Sequence, residues 1–196
     1  MLGAILLVIL TAVYRVASAI IVHNGGSAWL SNFAPMAAIA FCAAVYFPRR
    51  LKFTIPFAAL LLSDLILDAY YHASLFDPIV LSRYFAFALV GLLGLALSGK
   101  TTLNRLLPAS VLASLLFYLV TNAFSWLADP GYAKNLAGLI QALTVGLPEY
   151  SSTPTWMFFR NSVLSDLLFT ALFVVCMNFS RREATLASRG SAPLPN

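Results

Sequence analysis

The chain has 196 residues, 61% of them hydrophobic and 10% charged, with a formal net charge of +5. So much apolar surface cannot be hidden in one soluble core of this size, which excludes a soluble globular domain and makes the chain an integral membrane protein. The apolar stretches are continuous rather than alternating, so they read as helices and not as barrel strands.

A spanning helix takes about 20 mostly apolar residues, and the length then predicts an all-α membrane protein, a compact bundle of about six transmembrane helices over residues 1–180. In chain order the predicted spans are 2–22, 32–47, 53–70, 79–98, 106–127 and 156–178, the second being the shortest. The second opens on Asn32-Phe33-Ala34-Pro35, a helix-start signal in which Asn caps and Pro sits in the first turn. The connection 128–155 is long, and within it Leu136, Leu139, Ile140, Leu143 and Leu147 recur at helical spacing before Pro148. That pattern predicts a short amphipathic helix in the last outer loop, acting either as a lid over a pocket or as an interfacial link between the fifth and sixth spans. Residues 181–196, rich in Ser, Ala and Pro after Arg181 and Arg182, are expected as a disordered cytoplasmic tail.

Lys and Arg favour cytoplasmic loops. Arg49, Arg50, Lys52, Lys100, Arg105, Arg181, Arg182 and Arg189 fall on one side of the predicted bundle, and only Lys134 on the other. Both termini are therefore expected in the cytoplasm. The same topology accounts for the basic net charge, so nucleic acid is not expected as a partner, whereas the lipid bilayer is. Ala17-Ser18-Ala19 has the look of a signal-peptide cleavage site, but no basic side chain precedes Arg15, and Arg15 itself interrupts the apolar run. Cys42 and Cys176, alone within their spans, are expected as free thiols with no metal or cofactor. His23 and His72 fall near the outer interface, where solvation is the ordinary role.

The polar residues inside the spans carry the functional signal, because a charge in hydrocarbon is costly unless it faces a partner or a water-filled space. Thr11, Arg15 and Ser18 share one face of the first span; Asp64 and Asp68 are one turn apart in the third; Arg83 lies in the fourth. Tyr118, Asn122 and Trp126 form a stripe on the fifth, and Arg160, Asn161, Ser162 and Asp166 cluster on the sixth. Asn32, Arg15, Asp64, Asp68, Arg83, Asn122, Trp126, Arg160, Asn161 and Asp166 are the candidate ligand-binding residues. The structural alternative is that the arginines only neutralise the aspartates and fix helix register.

Three blocks, Asn32 to Phe41, Leu62-Ser63-Asp64, and Phe159 to Phe169, resemble the signatures of a bacterial family of small multispanning membrane proteins of unknown function. The similarity runs from residue 32 to about 175 and implies the bacterial cytoplasmic membrane as the location. More loosely, size, span number and inward termini are similar to the substrate-binding S components of energy-coupling-factor vitamin transporters. That resemblance implies an outward pocket and a membrane coupling subunit as partner. Many S components carry small residues four apart on the first span; here the repeat lies on the second, as Ala34/Ala38 and Ala40/Ala44.

The leading expectation is thus a solute-binding subunit of a small-molecule transporter, in which arginines hold a carboxylate or phosphate and Asn and Asp side chains orient the ligand. Trp126, Trp156, Tyr70 and Tyr71 near the outer mouth either stack on a ligand ring or belong to the interfacial belt. The alternatives are a membrane scaffold for an envelope or cell-shape assembly, and an intramembrane enzyme built on Asp64 and Asp166. No catalytic role is expected, since two aspartates on separate spans do not by themselves make an acid–base pair.

Overall fold

The computed structural model describes residues 2–27, 33–72, 74, 77–99 and 102–190, with side chains through residue 180. Among these residues the chain is all helical: α1 (Leu2–His23), α2 (Met36–Tyr46), α3 (Thr54–Tyr71), α4 (Pro78–Ala96), α5 (Leu103–Ala128), α6 (Leu136–Thr144) and α7 (Thr155–Gly190). Five of them, α1, α3, α4, α5 and α7, are long and apolar enough to cross a membrane. The protein is a multi-pass helical membrane bundle.

The second of the expected spans, α2, is shorter than the 32–47 stretch predicted for it. Its 11 residues extend only about 16 Å at 1.5 Å per residue, half of a hydrocarbon layer about 30 Å thick. The sequence Met36-Ala37-Ala38-Ile39-Ala40-Phe41-Cys42-Ala43-Ala44-Val45 is apolar all round, and every one of these residues is buried. α2 is therefore the core of the bundle, packed against α3, α4, α5 and α7. Its small residues permit close contact: a side chain at Gly94 of α4 would meet the Phe41 carbonyl oxygen at 2.6 Å and Ala44 Cβ at 2.8 Å. The outward-facing sides of the long helices remain apolar and exposed, as with Leu6, Leu10 and Val13 of α1, which suits contact with lipid tails.

A short helix buried on all sides leaves its terminal N–H and C=O groups without water. Pro35 occupies the N-cap position, directly before the helix rather than in its first turn, and supplies no side-chain cap. The cap comes instead from a different helix, because the Ala38 N–H donates to Asp166 Oδ1 of α7 at 2.9 Å. At the opposite end the Lys52 ammonium donates to the Ala44 carbonyl and to Ser98 Oγ, the latter at 2.8 Å. A carboxylate at the positive end of the helix dipole and an ammonium at its negative end are the favourable arrangement. Desolvation holds the Lys52 ammonium below the ordinary lysine pKa.

Other helix ends follow local rules. Asp77 caps α4 by accepting from the Ile79 N–H at 2.7 Å, with Pro78 in the first turn. Asn135 caps α6 through the Gly138 N–H at 3.0 Å, and a side chain at Gly138 would collide with the Ala133 carbonyl. α6 falls where the leucine spacing placed it. α7 runs to Gly190, so the first part of the segment expected as a disordered tail continues the helix; Arg182-Glu183-Ala184 and Leu186-Ala187 are strong helix formers with no breaker before Gly190. Residues 191–196, and Asn32 with its expected capping role, lie outside the described residues.

Asp166→Ala is expected to strand the Ala38 N–H and the Ser114 hydroxyl that also bonds this carboxylate. Leaving such groups unsatisfied costs about 1–3 kcal/mol each. Thermal unfolding in mild detergent checks this: the variant should melt several degrees below the parent, and an unchanged midpoint refutes the capping role.

Candidate functional site

Because α2 fills only one half of the bundle's depth, the other half is left open above its first turn. A cavity of about 610 Å³ occupies that space. Ala34, Met36 and Ala37 form its floor, and its walls are the last turns of α1 and α3, the first turns of α4 and α7, and α5 from Ser114 to Ser125. The basic residues Arg49, Arg50 and Lys52, in the 47–53 connection, and Arg105, in the first turn of α5, lie at the other end of these helices.

Two arginines mark one wall. Arg15 of α1 and Arg83 of α4 both line the cavity, and both donate to the same oxygen, Asp64 Oδ1 of α3, at 2.5 and 2.6 Å. Asp64 is fully buried behind them (0% exposed), with its second oxygen unbonded and the Tyr84 hydroxyl close by. Arg15 also donates to Ser63 Oγ, so a Ser-Asp pair on adjacent positions of α3 grips one guanidinium. The bridge connects three helices of which α1 and α3 pack on each other.

The opposite wall is neutral. On α5, Ser114, Phe117, Tyr118, Thr121, Asn122 and Ser125 face the cavity, a run of three- and four-residue steps that is one side of a helix. On α7 the positions are Thr155, Phe158, Phe159, Ser162 and Asp166, again one side. Tyr118 and Phe159 stack at 4.7 Å between ring centroids, and the Tyr118 hydroxyl is turned outward to donate to the Leu143 carbonyl of α6. Asp166 sits under the floor at 1% exposure, accepting from the Ala38 N–H and from Ser114 Oγ at 2.7 Å. Below it the Thr170 hydroxyl donates to Ser110 Oγ at 2.9 Å, and Cys42 Sγ lies 3.7 Å from Thr170 Oγ1. Both cysteines are free thiols, and among the described residues no cluster of metal-ligating side chains occurs.

Of the ten residues singled out from sequence, the cavity thus gathers Arg15, Arg83, Asn122 and Asp166. Asp64 stands behind the arginines, and Asp68, one residue round the helix from the cavity-facing Leu67, has a buried oxygen without a hydrogen bond. Arg160 and Asn161 fall on other sides of α7 than the lining residues; the Arg160 guanidinium contacts Asn161 Oδ1 at 3.1 Å and lies over the Trp156 ring. Trp126 donates to the Ala133 carbonyl at 2.9 Å and packs on Tyr132, Ala142 and Leu147, where it holds the 129–135 turn and α6. Burial raises the Tyr132 phenol in this cluster, with Asp129 adding to the effect. No α6 residue lines the cavity, and α6 meets its wall through the Tyr118 hydroxyl, which donates to the Leu143 carbonyl.

Sequence reasoning passed over the α5 residues Ser114, Phe117, Thr121 and Ser125, although their helical spacing with Tyr118 and Asn122 was the available signal. At the mouth His23 meets Tyr71 edge-on at 5.0 Å, and the Tyr71 hydroxyl donates to the Ala19 carbonyl at 3.0 Å, tying α1 to α3.

A multi-pass helical membrane protein with a chamber of mixed polar and aromatic lining in one half of its depth is the class these features define. The chain belongs to DUF6580, a family of unknown function, whose model matches residues 1–188. That match extends over nearly the whole length the resemblance seen in the sequence between 32 and 175. No curated protein and no solved structure matches it.

If the ion bridge is intact in the membrane, Asp64→Leu alone leaves two arginines without a partner. The expected loss is about 3–5 kcal/mol, whereas the triple change Arg15→Met, Asp64→Leu, Arg83→Met is expected to be close to neutral or stabilising. Thermal unfolding of the two variants in the same detergent checks the contrast; equal destabilisation of both contradicts it.

Proposed function

We propose that the protein binds a small solute in the chamber above α2 and serves as the capture subunit of a transport system. The observation that carries this reading is the cavity itself. At about 610 Å³ it falls in the range of about 300–1,000 Å³ that holds drug-sized ligands. A bundle held together only by ion pairs and small-residue contacts has no use for such a void, and its floor is kept open by a half-length helix that needs an acid from another helix to terminate it.

The chamber opens at the end away from Arg49, Arg50, Lys52 and Arg105, so the bias of basic residues toward the cytoplasm turns it to the outside. The location is accordingly the bacterial cytoplasmic membrane, with both termini inside and the chamber facing incoming solute. The energy for uptake would be supplied by a coupling subunit or an ion gradient. The scaffold alternative is favoured by one feature, the large exposed apolar faces, which lipid satisfies equally well.

Mass spectrometry of small molecules released from protein purified in mild detergent tests the reading. A defined compound is expected in about equimolar amount from the parent and at least tenfold less from Thr121→Trp, which fills the chamber from α5; Thr121 bonds only its own helix, through the Phe117 and Tyr118 carbonyls. A stable protein complex without any released compound is the result that supports a scaffold instead.

A further inference from the structure

We infer that the solute is a singly charged anion carried on a ring, and not a zwitterion or a cation; this rests on the reading of the chamber as a solute site. The charge follows from the way the acids are used. Two guanidinium groups line the chamber, and one carboxylate oxygen, Asp64 Oδ1, serves both. On that wall the chamber is lined by the two guanidinium groups, while Asp64 and Asp68 of α3 lie behind the lining, and the Arg83 side chain retains 29% of its exposure. A guanidinium donates in a planar fork suited to a carboxylate or phosphate, so an anion arriving there completes the set.

A ligand ammonium finds no matching site. Asp166 is the one carboxylate among the described lining residues, and it is covered. One of its oxygens accepts the Ala38 N–H and the other the Ser114 hydroxyl, and the dipole of α2 offsets its charge. Its energy is committed to the fold, and drawing an ammonium down to it would mean dismantling the end of α2. Asp64 is shielded by the same two arginines that attract the anion.

The body of the ligand is set by the facing wall. Phe117, Tyr118, Phe158 and Phe159 present rings to the chamber, and because the Tyr118 hydroxyl is engaged with Leu143, the ring face and not the phenol is offered. Asn122 and Thr121 sit beside these rings, with Asn122 Nδ2 bonded to the Tyr118 carbonyl at 2.8 Å and its amide oxygen left to accept from a polar ring substituent. Aromatic faces stack on planar rings, and an anionic end opposite a stacked end gives the ligand a fixed direction. An acid of this kind reaches the chamber either as a free solute or as a lipid-derived acid, which shares the charge but carries a chain in place of the ring.

The test is a thermal-shift titration of the detergent-solubilised protein with indole-3-acetate, tryptamine and tryptophan, three compounds with one ring system and different charge, and with dodecanoate as the chain acid. Indole-3-acetate is expected to raise the midpoint with saturating dependence, at concentrations at least tenfold lower than tryptamine or tryptophan, and Arg83→Gln is expected to weaken it by tenfold or more. Equal or tighter response to tryptamine or tryptophan overturns the charge assignment, as does an unchanged response in Arg83→Gln. A preference for dodecanoate keeps the charge but overturns the ring. The charge series on the parent protein alone decides the point if Arg83→Gln does not fold. Silence from all four probes while a compound is still released from the parent and lost in Thr121→Trp overturns the proposed class and leaves the solute site standing; silence with no released compound removes the solute site itself.

Discussion

The structure depends on terminating a helix in the middle of a hydrophobic bundle. α2 ends abruptly at both sides of an 11-residue run, and a peptide group that loses its partner in such surroundings has no water to turn to. Asp166 from α7 answers at the first turn and Lys52 at the last. Because these partners come from outside α2, the short helix is defined only once α7 and the 47–53 connection are in place. Ser114, Ser110 and Thr170 extend the same polar seam between α5 and α7, and interhelical hydrogen bonds of this kind, with small residues, substitute for the hydrophobic drive that lipid removes.

Everything distinctive above α2 follows from its shortness. A full-length helix in that place would fill the bundle; a half-length one leaves a chamber whose walls are the outer halves of the five long helices. Polar groups on those walls then cost little, since they face a cavity and not lipid tails. The Arg15–Asp64–Arg83 bridge lies on the chamber wall where three helices meet. Its net contribution to stability is small because desolvation offsets attraction, and its place on the wall sets two guanidinium groups against the chamber.

Much of this was legible in the sequence and some was not. The long spans, the amphipathic α6 and the inward face of Thr11, Arg15 and Ser18 followed from period and hydropathy alone, and Thr11 and Ser18 are indeed buried. The 32–47 stretch read as a longer helix than α2 because apolar composition does not record where a buried helix stops; its first turn is capped by Asp166, far along the chain, which no local rule detects. Arg160 and Asn161 were grouped with Asp166 by proximity in sequence, whereas a rotation of about 100° per residue carries them to other faces. The α5 lining was missed for the opposite reason: serines and threonines are ordinary in membrane helices, and only their alignment with Tyr118 and Asn122 gives them meaning. The partner of each buried charge was legible as a type, an arginine for an aspartate, but two arginines on one oxygen is a property of three helices meeting.

The half-depth position of α2 is tested most directly by thiol accessibility in intact cells. Single cysteines replace Ala34 on the chamber floor or Ser162 on its wall, and Ala40, buried one turn below the floor, in a background with Cys42 and Cys176 removed. A small, charged, membrane-impermeant methanethiosulfonate added from outside is expected to modify positions 34 and 162 and to leave position 40 untouched. Protection of all three positions, or modification of position 40 as fast as the others, would contradict a chamber that ends where α2 begins.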